Sequence, residues 1–146
     1  MRAVLTRVRS ASVTIDGQVN GSIGRGFLIL LGVGPNDTEK EGRYLAETAR
    51  GLRVFEDENG KMNLNLEQVG GAMLVISQFT LYADTSSRRP GFSKAGKPDV
   101  AIPLYERFKD QCRARGFRVE CGQFGADMKV ASVNDGPVTI LYDTEA

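Results

Sequence analysis

The architecture of this chain follows from one unbroken apolar run, Phe27-Leu28-Ile29-Leu30-Leu31-Gly32-Val33-Gly34. Every position in it is apolar or glycine, so the run predicts a strand that is buried on both of its faces. It is the longest apolar run in the sequence, and it falls far short of the about 20 residues that a membrane-spanning helix needs. We therefore expect a globular fold with no membrane segment.

Strand-like segments surround this run. Asp16-Gly17 predicts a tight hairpin turn between two of them, and Asp57-Glu58-Asn59-Gly60 predicts a second hairpin between Arg53–Phe55 and Lys61-Met62. The other predicted strands are Ala3–Val8, Ser12–Ile15, Gln18–Ile23, Ala72–Ile76, Phe117–Cys121, Lys129–Val133 and Val138–Tyr142.

Two segments have helical patterns. The first begins at Thr38, an N-cap that can form a capping box with Glu41. Its predicted apolar face consists of Tyr44, Leu45, Thr48, Ala49 and Leu52. The second helix ends before Gly116. Its predicted apolar face consists of Ala101, Leu104, Tyr105, Phe108 and Cys112.

The start of the second helix is open. Pro98 suits a first turn, whereas Pro103 predicts either a kinked first turn or a helix that begins nearer Pro103. Two helices with roughly eight or nine strands, mostly in hairpins, predict the α+β class. We expect a strongly twisted mixed sheet, barrel-like in shape, with both helices on one side and a single domain over residues 1–146.

The composition narrows the possible functions. Hydrophobic residues make up 41% and charged residues 25%, both ordinary for a globular domain. The first residues turn polar too early for a signal peptide, which predicts a cytoplasmic location. Cys112 and Cys121 have no CxxC spacing and are predicted to be small hydrophobic residues of the interior.

The chain contains no histidine. A Ser-His-Asp or Cys-His arrangement is therefore impossible, as is a zinc site of the usual histidine-containing kinds. A hydrolase built from this sequence would rely on positioning, backbone donors, a shifted carboxylate or lysine, or a group of the substrate. We predict no metal and no cofactor.

Charge is unevenly distributed although the net charge is only +1. Residues 88–118 contain nine basic and three acidic side chains, whereas residues 34–67 contain eight acidic and five basic ones. A basic half beside an acidic half suits a polyanionic partner that is met from one side. The alternative is a solvated, arginine-rich helix face.

Two short motifs follow or interrupt strands: Ser77-Gln78-Phe79-Thr80-Leu81-Tyr82-Ala83-Asp84, and Asn134-Asp135-Gly136-Pro137-Val138-Thr139. As a pair they resemble the D-aminoacyl-tRNA deacylase family, homodimeric enzymes that hydrolyse the ester between a D-amino acid and tRNA. The resemblance extends to Arg7-Val8-x-x-Ala11-Ser12-Val13, Gly60–Leu64, Phe92–Lys94 and Ala126–Met128. It implies a homodimer acting on aminoacyl-tRNA.

The first motif is the predicted catalytic loop, Ser77, Gln78, Phe79 and Thr80. Ester hydrolysis needs donors for a developing oxyanion, and the backbone N–H groups of Phe79 and Thr80 are the candidates. The Gln78 amide could pair with the substrate, and the Thr80 hydroxyl could orient water. The resemblance implies that the 2′-hydroxyl of the tRNA's terminal adenosine helps to activate that water.

The second motif carries Gly136-Pro137 between two strand-like runs, where a proline requires a bulge, a sheet edge or a cis peptide. The resemblance implies a cis peptide that acts as a chirality filter in the partner subunit's active site. A rigid wall there rejects L-amino acids by sterics, and it admits glycine as well as D-amino acids. Arg7 resembles the family's arginine that anchors this dipeptide; the alternative is an exposed strand arginine.

Four further residues are candidates for tRNA contacts. Phe92 and Met128 either line an adenosine pocket or belong to the core, and Arg88 and Arg89 either contact phosphates or are plain surface charge. Two other functions fit the sequence less well. One is a non-catalytic nucleic-acid-binding domain, and the other is a small-molecule esterase with Thr80 as nucleophile.

Overall fold

The computed structural model describes residues 1–146 and contains eight strands and two α-helices. In chain order the elements are β1 (Arg2–Ile15), β2 (Gln18–Ile23), β3 (Gly26–Gly32), α1 (Glu39–Gly51), β4 (Phe55–Glu56), β5 (Met62–Leu64), β6 (Ala72–Ser77), α2 (Pro98–Ala114), β7 (Val119–Cys121) and β8 (Lys129–Asp143). One turn of 3-10 helix, Phe79–Tyr82, follows β6. None of the helices is long and apolar enough to cross a membrane. The predicted α+β class with two main helices is confirmed.

The main sheet is mixed and curls until its ends nearly meet. β1 pairs antiparallel with β3 along its first half and with β2 along its second half, while β8 covers its other edge. β3 pairs in parallel with β6, and β6 with β7. A side-chain contact returns the path to β2, since Asn20 donates to the Cys121 carbonyl at 2.7 Å. The predicted barrel-like sheet is therefore confirmed.

β3 is buried on both faces, as its apolar run predicts. Phe27, Ile29 and Leu31 belong to the larger buried cluster, which the helices cover. Leu28 lies on the opposite face, in a smaller cluster with Leu74 of β6. Alternate side chains of one strand therefore hold two separate parts of the core together.

The two long strands differ from the prediction. β1 is continuous, whereas the sequence predicts separate strands at Ala3–Val8 and Ser12–Ile15. Its register against β8 shifts on either side of Val8, and such bulges bend a strand without ending it. At this bend β1 changes partner from β3 to β2.

β8 is also continuous, whereas the sequence predicts a break between Val133 and Val138. Pro137 lies inside the strand although it has no N–H to donate. The strand tolerates it because β8 is at the edge of the sheet and its pairing is irregular opposite Arg7.

The first helix begins as predicted. Thr38 is its N-cap, and Glu41 accepts a hydrogen bond from the Thr38 backbone N–H at 2.8 Å. Leu45 and Ala49 are buried, but Tyr44 is 59% exposed, so its predicted place on the apolar face is wrong. Neighbouring helical residues point about 100° apart. The buried stripe is centred on Leu45 and Ala49, which turns Tyr44 to solvent.

The second helix begins at Pro98 and continues through Pro103, so the predicted later start is wrong. It ends before Gly116, whose φ of 93° suits glycine at a helix end. Its buried face fastens it to the sheet, because the Tyr105 hydroxyl donates to the Val75 carbonyl of β6 at 2.9 Å. This bond lies two residues before the first motif.

The buried Tyr105 bond gives a test of the packing. Tyr105→Phe removes a donor and leaves the Val75 carbonyl unsatisfied, so the free energy of unfolding should fall by about 1 kcal/mol. Tyr44→Phe is the matched control, because the same change at an exposed site should stay within about 0.5 kcal/mol of zero. Urea denaturation at one protein concentration measures both variants. Equal effects at the two positions would contradict the buried bond.

Candidate active site

The first motif begins where β6 ends. The Gln78 backbone N–H donates to the Leu31 carbonyl at 2.8 Å, which extends the ladder between β3 and β6 by one bond. The chain then turns into the 3-10 helix. Arg2 of β1 holds this turn from below, since its Nη1 donates to the Leu81 carbonyl at 2.7 Å. The motif is therefore fixed by the sheet on both sides.

Two backbone N–H groups in the motif are suited to accept an oxygen ligand. Phe79 and Thr80 occupy the first positions of the 3-10 helix, where the N–H groups have no acceptor within the helix. The first bond of the turn runs from the Leu81 N–H to the Gln78 carbonyl at 3.2 Å. The Thr80 hydroxyl is exposed and hydrogen-bonded to the side-chain amide of Gln78.

A cleft of about 590 Å³ opens beside this motif. Its volume lies within the usual range for small-molecule sites, about 300–1,000 Å³. The cleft brings together Ser77, Gln78 and Phe79 with Phe92 and Met128, all of them candidates from the sequence. Its other lining residues are Ile76, Ala95, Gly96, Lys97, Pro98, Phe124, Gly125, Ala126, Asp127 and Val130.

The apolar wall of the cleft consists of Phe79, Phe92 and Met128. The two phenylalanine rings meet edge to face with centroids 5.0 Å apart. Phe92 is half-buried and belongs to neither buried cluster, so the alternative of a core residue does not hold for it. Met128 also packs against the smaller cluster, and its sulfur lies directly over Gly122. The cleft and the core therefore share Met128.

Arg88 and Arg89 lie outside the cleft lining, on an exposed loop. Two backbone hydrogen bonds close this loop at its base, between Asp84 and Gly91, at 2.8 and 3.0 Å. The same closure places Phe92 directly after the loop and against the cleft. The two arginines can meet only a ligand that extends beyond the cleft.

Gly136 and Pro137 are exposed on β8, and neither lines the cleft of its own chain. The peptide bond between them is cis. Gly136 has a φ of 132°, and a Cβ added there would lie 2.8 Å from Val138 and 3.1 Å from the Arg7 guanidinium. Only glycine fits this position.

Arg7 lies beneath the second motif and is 4% exposed, so the alternative of an exposed strand arginine is wrong. Its Nε donates to the Asp135 carbonyl at 2.9 Å, and its Nη1 donates to the Val54 carbonyl at 2.6 Å. The guanidinium thus ties β8 to the segment before β4. Its contact to Asp135 places it next to Gly136.

The basic segment 88–118 does not form one face. Six of its nine cations pair with carboxylates: Lys94, Arg107, Lys109, Arg113, Arg115 and Arg118. Two of these pairs reach α1, since Arg107 meets Glu39 and Arg115 meets Glu47. Arg88, Arg89 and Lys97 are the three without a carboxylate oxygen within 4.0 Å, and all three are at or near the cleft end of the segment.

The carboxylates of the site are suited to structural roles. The backbone N–H of Ser86 donates to Asp84 and holds the pKa of that carboxyl below its usual value. Asp127, in the cleft lining, binds Lys129 through both oxygens at 3.2 Å. No group of three or more cysteine, aspartate and glutamate side chains is placed to hold a metal ion. Burial raises the pKa of the Cys112 thiol to about 12, which leaves that thiol unreactive.

Comparison with known proteins agrees with this site. Residues 4–143 match the family model for D-Tyr-tRNA(Tyr) deacylase. A "D-aminoacyl-tRNA deacylase" of Roseiflexus castenholzii is 58% identical over 145 residues, which cover 99% of this chain and 92% of that protein.

Two solved structures also resemble the chain along its length. One, titled "c-Myc DNA Unwinding Element Binding Protein", is 39% identical with a TM-score of 0.93 and full coverage of both chains. The other, titled as a probable eukaryotic D-amino acid tRNA deacylase, has a TM-score of 0.85 at 18% identity, covers 97% of each chain and shares the fold. The resemblance drawn from the two motifs is confirmed: the chain belongs to the D-Tyr-tRNA(Tyr) deacylase family.

Proposed function

We propose that this protein hydrolyses the ester bond of D-aminoacyl-tRNA and releases the free amino acid and tRNA. The observation that carries the proposal is the cleft in which a strand-end catalytic loop faces an aromatic wall. Membership of the deacylase family and the name of the 58% identical relative support the same activity. Ser77, Gln78, Phe79 and Thr80 hold the ester, while Phe92 and Met128 hold the terminal adenosine.

Catalysis in this proposal depends on positioning. The N–H groups of Phe79 and Thr80 donate to the ester carbonyl oxygen as it becomes an oxyanion. Water attacks the carbonyl carbon, the bond to the ribose oxygen breaks, and that oxygen leaves with a proton. The neighbouring 2′-hydroxyl of the substrate assists the water, since the chain has no histidine to do so. Well-oriented reactants can account for several kcal/mol of the barrier.

A second copy of the chain completes the site in this proposal. Residues 129–134 of β8 are exposed on both faces of the strand, including Val130 at 40% and Val133 at 54%. Val130 also lines the cleft, so a partner that covers this half of β8 comes to the cleft mouth. The partner's backbone at Gly136-Pro137 would then form the wall beside the substrate's Cα, braced by its buried Arg7.

This wall accounts for handedness. With the substrate's ammonium and ester carbonyl both held, the side chain and the hydrogen on Cα exchange places between D- and L-amino acids. Backbone at the position of an L side chain leaves room only for hydrogen. Arg88 and Arg89 would contact phosphates farther along the tRNA, and the cytoplasmic location stays a prediction of the sequence.

A non-catalytic nucleic-acid-binding role is the second candidate. It is favoured by the printed title of the 39% identical solved structure, which describes DNA binding. The two functions separate in one assay, in which D-alanyl-tRNA is incubated with the protein and the released amino acid is followed. Release at the uncatalysed rate, with tRNA bound, would leave only the binding role.

Replacement of Thr80 separates water attack from a threonine nucleophile. If water attacks, Thr80→Ala removes an orienting hydroxyl, and the single-turnover rate should fall by about 10- to 100-fold. Thr85→Ala, at the exposed base of the arginine loop, is the matched control and should keep the wild-type rate. Mass spectrometry of quenched wild-type reactions should show no acyl adduct. An acyl-Thr80 adduct together with complete loss in the variant would establish the esterase mechanism instead.

Glycine gives a direct test of steric exclusion. Glycyl-tRNA carries hydrogen at both positions of Cα, so the wall should admit it, and L-alanyl-tRNA should be refused because of one methyl group. A pocket that instead attracts D side chains gains only about 1–3 kcal/mol from a methyl and would process glycine poorly. Single-turnover rates for glycyl-, D-alanyl- and L-alanyl-tRNA decide between them. Glycyl-tRNA as inert as L-alanyl-tRNA would rule out exclusion by the wall alone.

The lowered pKa of Asp84 predicts the pH dependence of its variant. A carboxyl with a pKa below about 3.9 is fully ionised from pH 5.5 to 8, so its charge is constant there. The ratio of the Asp84→Asn rate to the wild-type rate should therefore stay flat over this range. The ratio is the useful quantity because the substrate's own ammonium also titrates. A wild-type limb near neutrality that vanishes in the variant would make Asp84 a general base.

A further inference from the structure

Lys97 is the only basic side chain in the lining of the cleft. It is exposed, has no carboxylate oxygen within 4.0 Å, and makes no side-chain hydrogen bond within the chain. The one acidic residue of the lining, Asp127, is already bound to Lys129. An uncompensated ammonium therefore lies at the edge of a site that is otherwise apolar or neutral.

The backbone fixes where this ammonium can reach. The Gly96 N–H donates to the Val33 carbonyl at 2.8 Å, and the Lys97 carbonyl accepts from Val100 and Ala101 in the first turn of α2 at 2.9 and 2.8 Å. A Cβ on Gly96 would lie within about 3.1 Å of backbone oxygens of Val33 and Gly34, so the segment is tightly packed against the end of β3. Only the lysine stem is free to move.

We propose that Lys97 binds the phosphate on the 5′ oxygen of the substrate's terminal nucleoside, a contact that rests on the proposed function. The cleft has room for one nucleoside with its amino acid, so the chain of the RNA must leave it at the rim. The first group to leave is the 5′-phosphate, and Lys97 is the free cation at that rim. The N-terminal end of α2, which starts at the next residue, adds potential of the same sign.

The other cations of the segment do not serve this position. Arg88 and Arg89 lack partners too, but they lie outside the cleft on the loop closed by Asp84 and Gly91. Lys94 is paired with Asp84 at 3.7 Å. The remaining cations lie on or after α2 and are held by acidic residues of the chain. Lys97 is thus the residue that joins nucleoside recognition inside the cleft to phosphate contacts outside it.

The test compares two stable amide analogues, 3′-deoxy-3′-(D-alanylamino)adenosine with and without a 5′-phosphate, by isothermal titration at low salt. Wild-type protein should bind the phosphorylated analogue about fivefold more tightly, as expected for one exposed ion pair. Lys97→Gln should remove this gain and leave binding of the unphosphorylated analogue unchanged. Lys61→Gln, the same change at an exposed, unpaired lysine outside the cleft, should keep the gain.

An equal gain in wild type and Lys97→Gln, or no gain in wild type, would overturn the assignment. A Lys97→Gln defect that appears with charged tRNA but not with the mononucleotide would overturn it as well, because the contact would then be to a later phosphate. Failure of the proposed function looks different. Wild type would release no D-alanine from tRNA, while the phosphate-dependent gain and its loss in Lys97→Gln would remain measurable.

Discussion

The site depends on the parallel pairing of β3 with β6. β3 is buried on both faces and lies between β1 and β6, so it fixes the position of β6 and of the chain that leaves it. The last bond of this ladder, from Gln78 to Leu31, is already part of the first motif. On the other side Gly96 bonds to Val33, just beyond the same strand. Both walls of the cleft are thus anchored to the end of β3.

This anchoring suits a reaction in which the protein supplies geometry more than reactive groups. The motif offers backbone N–H groups, an amide and a hydroxyl, and none of these changes its charge near neutral pH. Every carboxyl group whose pKa departs from its ordinary value has it lowered: Glu41, Glu47, Asp57, Asp84 and Asp143. A site without titrating groups requires accurate placement, and short contacts to a buried strand provide it.

Local features of the fold were accessible from the sequence, and long-range ones were not. The capping box of Thr38 and Glu41 and the turn at Asp16-Gly17 depend on residues close in the chain, and the structure has both. The continuity of β1 and β8 depends on their mutual pairing, which hydrophobic patterns in either strand alone do not reveal. A change of partner along β1 has no local signature.

The candidate site divides in the same way. Motif resemblance brought Ser77, Gln78, Phe79, Phe92 and Met128 to one cleft, because these residues form a recognisable set. The basic face was misjudged, because six of its cations are neutralised by partners that the chain order does not show. Lys97 was missed for the same reason: its lack of a partner is visible only when the partners of its neighbours are known. The burial of Arg7 likewise follows from the packing of β8.

The tight fit of Gly136 against Val138 and Arg7 has an evolutionary consequence. Every amino acid that a single nucleotide change can substitute for glycine carries a Cβ, and a Cβ here meets atoms at 2.8 to 3.1 Å. No small mutational step therefore leads away from this residue, and relief at Arg7 would first require loss of a buried charge bound to two carbonyls. The second motif and the arginine beneath it can change only together, which isolates this part of the protein from gradual drift.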